Sequence, residues 1–198
     1  MIKKPVILLV AALLCSCATI YSPDAEFIGE NPASLVIRAL SLDSNVRDSA
    51  VNLYKREINC DSVSETKPTM SYLGTIEMKK INPNQERVVL AKGYKIPSNT
   101  DLIVEMSYWT SSGFSREHCE LSMLFKPEES AMYLLSRGAR SNIYIGKTGG
   151  CVARVDKFIE SEQGLKEVEI DNVSWGTVKE FKSQKFICDD KGQHRLKD

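Results

Sequence analysis

The sequence predicts an all-β fold, a disulfide-stapled antiparallel β-sandwich with little helix. Two observations carry that prediction. From Leu35 onward, short apolar runs with period-two alternation recur about every ten residues, with turn signals between them. Cys60, Cys119, Cys151 and Cys188 then form an even set of cysteines in a chain that opens like an exported protein, where an oxidising compartment makes disulfides the expected state. A strand with one apolar face must bury that face, and two sheets laid face to face do so.

Taken in order, the strands are expected at Leu35–Leu42, Ala50–Glu57, Ser71–Met78, Glu86–Ala91, Asp101–Thr110, Ser115–Phe125, Met132–Leu135, Asn142–Ile145, Cys151–Val155 and Lys166–Ile170. In the second run Val51, Leu53 and Lys55 fall on one side and Asn52, Tyr54 and Arg56 on the other. Cys119, Leu121, Met123 and Phe125 alternate with polar residues. The same segment also places Phe114, His118, Leu121 and Phe125 at helical spacing, so a helix stays open there. Phe125-Lys-Pro127 followed by Tyr133-Leu-Leu135 has the texture of a strand, a proline turn and a strand with a buried tyrosine, similar to many small exported β-sandwich lipoproteins. Residues 156–163 are expected to form a short helix around Phe158 and Ile159. The spacing of Trp175, Val178 and Phe181 suits one or two helical turns, and the charged stretch Lys191–Asp198 is expected to fray.

The first residues have a different character. Lys3 and Lys4 precede an apolar run, Pro5–Leu14, of about ten residues, which is the layout of a signal peptide and too short for the roughly 20 residues a bilayer span needs. The chain is divided accordingly into a signal peptide (1–16), a tether rich in turn signals (17–32) and a single β-sandwich domain (33–198) with a C-terminal extension from about 156. The 198 residues carry 26 Lys and Arg against 26 Asp and Glu. Loss of Lys3 and Lys4 leaves the rest slightly acidic, which argues against nucleic acid as a partner. The disulfide set permits three pairings. Cys60–Cys119 with Cys151–Cys188 is the expected one.

Motifs for chemistry are tested and set aside. Gly146-Lys147-Thr148 lacks the first glycine of a phosphate loop, since Ser141 stands there, and reads as a glycine turn into a strand. His118 and His194 are the only histidines and lie far apart, so neither a metal site nor a catalytic triad is expected. The acidic residues, among them Asp43, Asp48, Glu57, Asp61, Glu128, Glu129, Asp189 and Asp190, lack calcium-loop spacing. No cofactor is expected. Tyr108 and Trp109, on the strongest strand, are candidates to face a ligand.

Leu14-Cys15-Ser16-Cys17 resembles the lipobox of bacterial lipoproteins, with small Ser16 just before Cys17. The resemblance covers the leader alone. It implies cleavage before Cys17, acylation of that cysteine and anchorage without a transmembrane helix. In Gram-negative members of that group an Asp after the lipidated cysteine marks inner-membrane retention. Ala18 and Thr19 follow here, which implies the periplasmic side of the outer membrane. Ser136-Arg137-Gly-Ala-Arg140 is similar to the loop with which periplasmic C-type lysozyme inhibitors plug their target, with Ser141 where a Tyr is expected. Arg137, Arg140, Tyr108 and Trp109 are therefore the candidate interaction residues. The functional expectation is a non-enzymatic binding or envelope-assembly module with a protein partner in the cell envelope. An inhibitor or immunity protein against a periplasmic hydrolase comes second, and a hydrolase with dispersed carboxylates third.

Overall fold

The computed structural model describes residues 29–39, 46–78, 93–112, 115–140, 150–162 and 164–197. Its strands are β1 (Ala33–Ala39), β2 (Val46–Glu57), β3 (Glu65–Thr66), β4 (Thr69–Met78), β5 (Tyr94–Ile96), β6 (Asp101–Ser112) and β7 (Ser115–Phe125). They continue as β8 (Met132–Arg140), β9 (Gly150–Ser161), β10 (Gly164–Glu169), β11 (Ser174–Gly176), β12 (Phe186–Cys188) and β13 (His194–Leu196). One short helix, α1 (Val178–Ser183), stands between β11 and β12. A front sheet has the order β11-β7-β6-β2-β4, a back sheet β10-β9-β8-β1-β5, and a small third sheet β13-β12-β3.

Alternation builds the core. Val51 and Leu53 of β2, Leu102, Val104 and Met106 of β6, and Met123 and Phe125 of β7 point back from the front sheet. They meet Ala33 and Leu35 of β1, Tyr133 and Leu135 of β8, and Val155 of β9 from the back sheet. Each such side chain contributes about 1.5–3 kcal/mol by leaving water, and the two apolar faces have no other place to go. Phe125 and Tyr133 pack edge to face with ring centroids 5.2 Å apart, and the Tyr133 hydroxyl accepts the Glu128 backbone N–H at 2.9 Å. The proline turn with its buried tyrosine is thus present, and the all-β sandwich with little helix is borne out.

Particular expectations give way. Every pairing in the front sheet is antiparallel, but β1 and β8 run parallel, so the back sheet is mixed. β7 is a strand throughout, which removes the helical alternative for Ser115–Phe125. The expected helix over 156–163 is instead the second half of β9: Phe158 and Ile159 pair with Glu167 and Lys166 of β10, and the lost helix propensity is offset by a ladder partner. In the C-terminal stretch expected to fray, His194–Leu196 forms a strand paired with β12. The expected strands at 86–91 and 142–145 lie outside the described residues.

Two tie-points hold the outer layers. On the exposed side of the back sheet, the Arg38 guanidinium donates to Ser136 Oγ at 2.8 Å and forms a two-pronged pair with Glu167 at 3.2 and 3.3 Å, joining β1, β8 and the edge strand β10. Beside it Arg154 Nε donates to Asp156 Oδ2 at 3.0 Å. Asp156 is buried, and its second oxygen has no hydrogen-bond partner among the described residues. The third sheet is held by the Cys60–Cys188 disulfide, whose Cα atoms are 5.5 Å apart. That bond overturns the expected Cys60–Cys119 and Cys151–Cys188 pairing. Cys60 follows β2, and β12 is brought to it by pairing with β3, so neighbours in space are not neighbours in cysteine order. Cys119 is disulfide-bonded as well.

Candidate functional site

Among the described residues, the C-terminal segment packs on one part of the outer face of the front sheet, and the polar row beside it is the candidate site. The cover is built from the C-terminal segment. Thr177 caps α1, accepting the Glu180 N–H at 3.2 Å, while the Glu180 carboxylate accepts the Thr177 N–H at 2.7 Å. Gly176 allows this turn to close: a Cβ there would stand 2.9 Å from Glu180 Oε2 and 3.3 Å from the Phe181 ring. The helix then drops Phe181, only 3% exposed, onto Ile103 of β6 and Leu124 of β7, with Tyr54, Met70 and Val178 around it. Beyond α1, Arg56 locks the third sheet to the front sheet. It donates to Asp101 Oδ2 at 2.7 Å and to Gln184 Oε1 at 2.5 Å, and it lies 5.4 Å from the centre of the Phe186 ring.

One ladder row further along lies a polar row, half-buried at Asn52, Thr75 and Glu105 and fully buried at Ser122. Asn52, Glu105 and Ser122 are successive neighbours across β2, β6 and β7, and Thr75 of β4 continues the row. Their side chains form a chain of hydrogen bonds. Thr75 Oγ1 donates to Asn52 Oδ1 at 2.5 Å, Asn52 Nδ2 donates to Glu105 Oε2 at 2.7 Å, and the Tyr54 hydroxyl donates to the same oxygen at 3.0 Å. Tyr72, 48% exposed, is hydrogen-bonded to Thr75, and its ring sits 5.4 Å from that of Tyr54 at 51°. A bulge makes this possible. The β2–β4 register shifts at Leu53/Tyr54, so that Tyr72 and Thr75, three residues apart, share one face. Gly74 supplies the positive φ of 136° at that point.

Among the described residues, Glu105 and Glu120 put carboxylates on this face. Burial pushes the Tyr54 phenol well above its ordinary range, and Glu105, Tyr72 and Glu120 push it further in the same direction. Glu120 stands in the next row of β7, opposite Ser107, and is exposed. Glu105 Oε1 accepts no hydrogen bond from the described residues. Ser122 is fully buried, and its hydroxyl has no hydrogen-bond partner among them.

The residues singled out from sequence are dispersed around this face. Trp109 pairs with His118 and Tyr108 with Cys119 in the β6–β7 ladder, while their side chains lie outside the described ones. Arg137 is not on a loop. It stands in β8 opposite Ala153, is 2% exposed, and Arg140 ends the same strand, so Ser136–Arg140 is not the plugging loop its similarity implied. Cys17, Gly146, Lys147 and Thr148 lie outside the described residues, as does the side chain of Cys151. His118 belongs to the front sheet, whereas His194 pairs with Cys188 in the third sheet and packs on Phe186 with centroids 5.5 Å apart. Among the described residues no group of three or more His, Cys, Asp or Glu could hold a metal ion. Several acidic residues have local structural work: Asp189 accepts the Lys191 and Gln193 N–H groups, Glu129 accepts from Asn99, and Glu128 pairs with Lys157.

Comparison with protein-family models, with curated proteins and with solved structures finds no match. Fold and site therefore define the class alone: an all-β sandwich with a C-terminal layer over part of one sheet. Among the described residues no helix is long and apolar enough to cross a membrane.

Proposed function

We propose that this protein is a lipoprotein acylated on Cys17, held on the periplasmic side of the outer membrane, and working there as a non-enzymatic binding or envelope-assembly module. The observation that carries the binding role is the polar row on the outer face of the front sheet. Its rigid strands present ring faces, an amide and a carboxylate as one hydrogen-bonded array, held in place before any partner arrives. A disulfide between distant parts of the chain suits an oxidising compartment. The lipobox-like Leu14-Cys15-Ser16-Cys17 supplies the anchor, because more than one acyl chain holds a protein stably on a bilayer.

Two experiments test this reading. Cys17→Ala is expected to move the protein from the membrane fraction to the soluble fraction, and retention of the variant on membranes would refute the anchor. Crosslinking of the tagged full chain in membranes, followed by mass spectrometry, is expected to recover one dominant protein partner. A blank from lipidated, folded protein would refute the assembly role.

A further inference from the structure

We propose that the Cys60–Cys188 disulfide is a redox-operated clasp: closed, it pins the third sheet to the sandwich, and a dithiol reductant releases that sheet while the sandwich stays folded. The inference stands apart from the lipid anchor and the partner, and adds a control over the C-terminal layer that borders the polar row.

The clasp sits where little else holds. β3 is two residues long, and β12 and β13 are three each. β3 meets β12 through two residue pairs, Phe186 with Thr66 and Ile187 with Glu65. Sheets of this size do not stand without a packed face or a staple. The packed face is slight: Phe186 and Cys188 are the buried residues of the three strands, and 189–197 are exposed throughout. The pairs of Glu65 with Lys185 and Lys197 lie in water, where ion pairs contribute little. The disulfide joins the segment after β2 to β12 at a sequence separation of 128, and a cross-link closing so long a loop restricts the open chain most. Cys119 is placed differently. It stands within β7, which is held to β6 by an eleven-pair ladder, so loss of its bond leaves the strand where it is.

The exchange balances. Cys60 is half-buried and Cys188 buried, so a thiolate of the reductant attacks Cys60 Sγ, and the Cys188 sulfur leaves and takes up a proton. The second thiol of the reductant then displaces the Cys60 sulfur from the mixed disulfide. The reductant ends as its own disulfide, with two electrons and two protons passed to Cys60 and Cys188, and a disulfide oxidant reverses the step. Release of the third sheet takes Phe186 from under the Arg56 guanidinium, which lies 5.4 Å from the ring centre. It also frees Gln184, the C-cap of α1, from the same guanidinium. Phe181 stays seated on Ile103 and Leu124. The layer beside the polar row is thus firm in an oxidising compartment and loose at its far end in a reducing one.

The probe is dithiothreitol, added to the full chain in non-ionic detergent. The freed thiols are alkylated and amide exchange is followed by mass spectrometry. The expected result is exchange over 186–197 at least about tenfold faster than in the oxidised chain. The amides of β2, β6 and β7 should keep their protection, and reoxidation in place of alkylation should restore the slow exchange. Cys60→Ala with Cys188→Ala, which leaves the bond of Cys119 in place, should show the same fast segment without reductant. Unchanged exchange over 186–197 in the reduced chain or the double variant overturns the proposal, because packing alone would then hold the third sheet. Loss of protection in β6 to the same extent as in 186–197, or a double variant that does not fold, overturns it too, because the bond would then hold the whole domain. Cys17→Ala should give the parent's profile in both redox states, so failure of the anchor and failure of the clasp are read separately.

Discussion

Replacing Phe181 by alanine isolates the contribution of the C-terminal layer. Phe181 is the one buried side chain of α1 and seals Ile103, Leu124 and Tyr54 from water. Phe→Ala changes in closed cores cost about 3–5 kcal/mol, part of it from the cavity left behind. Here the pocket is roofed by a helix of six residues, so it can collapse or flood, and the transfer component of about 2–3 kcal/mol sets the cost. A helix this short does not sustain itself without its packed face. The loss is therefore local: amides of Val178–Ser183 should exchange about 30- to 150-fold faster, while those of β2 and β6 keep their protection. Tyrosine absorbance titration gives a second readout. Burial is the foremost reason the Tyr54 phenol is raised, so unroofing it should bring its ionisation down toward the ordinary value of about 10. A raised phenol contributes stability that is full below the unfolded value, about pH 10, and is lost as pH rises through the folded one. The variant should accordingly show less additional destabilisation above pH 10 than the parent. Equal acceleration of exchange in α1 and β6 would refute the local-cover argument, and an unchanged tyrosine titration would refute the assignment of burial as its cause.

Non-reducing peptide mapping should recover a Cys60–Cys188 peptide. It should also link Cys119, whose side chain packs against the inter-sheet core, to Cys151 at the start of β9 in the opposite sheet. Recovery of a Cys60–Cys119 peptide would contradict the fold. Lys185 and Lys197 hold the Glu65 carboxyl at about 2, against its usual range above 4. A depressed carboxylate contributes above the unfolded value and loses that contribution as pH falls through the folded one. Carboxyl NMR should therefore find Glu65 ionised at pH 3.5, with both lysines released as the pH approaches 2. Titration near 4.5 would show that the triad does not persist in solution.

The sandwich was legible because alternation is local: Val51/Leu53 against Asn52/Tyr54, and Cys119/Leu121/Met123 against His118/Glu120, can be sorted without knowing any partner strand. Pairing is not local. Nothing within β1 or β8 distinguishes a parallel neighbour from an antiparallel one, and the cysteine pairing depends on β12 reaching β3, which brings Cys188 to Cys60 at a sequence separation of 128. Residues 156–163 misled because Lys157, Glu160 and Glu162 are compatible with helix, while the pairing to β10 that decides the matter lies downstream. The candidate site was half visible. Asn52 and Tyr54 sort to the polar side of β2, yet their meeting with Glu105 and Tyr72 needs the register and the bulge. Gly74 inside an apolar run was the available signal, since an isolated strand glycine marks a bulge. Arg137 was misplaced for the opposite reason: a charged residue reads as surface until the depth of its strand is known.

The position of β1 has a mechanical consequence. It is an interior strand, with β8 parallel on one side and β5 antiparallel on the other, and the chain ahead of Ala33 leaves from its end. A load applied through that leading segment pulls β1 along its own axis. The bonds to β8 over Ser34–Ala39 are then sheared together, whereas a hairpin at a sheet edge would peel open one bond at a time. Drag on a partner seated on the front sheet would thus be transmitted to the leading segment through a strand clamped on both sides.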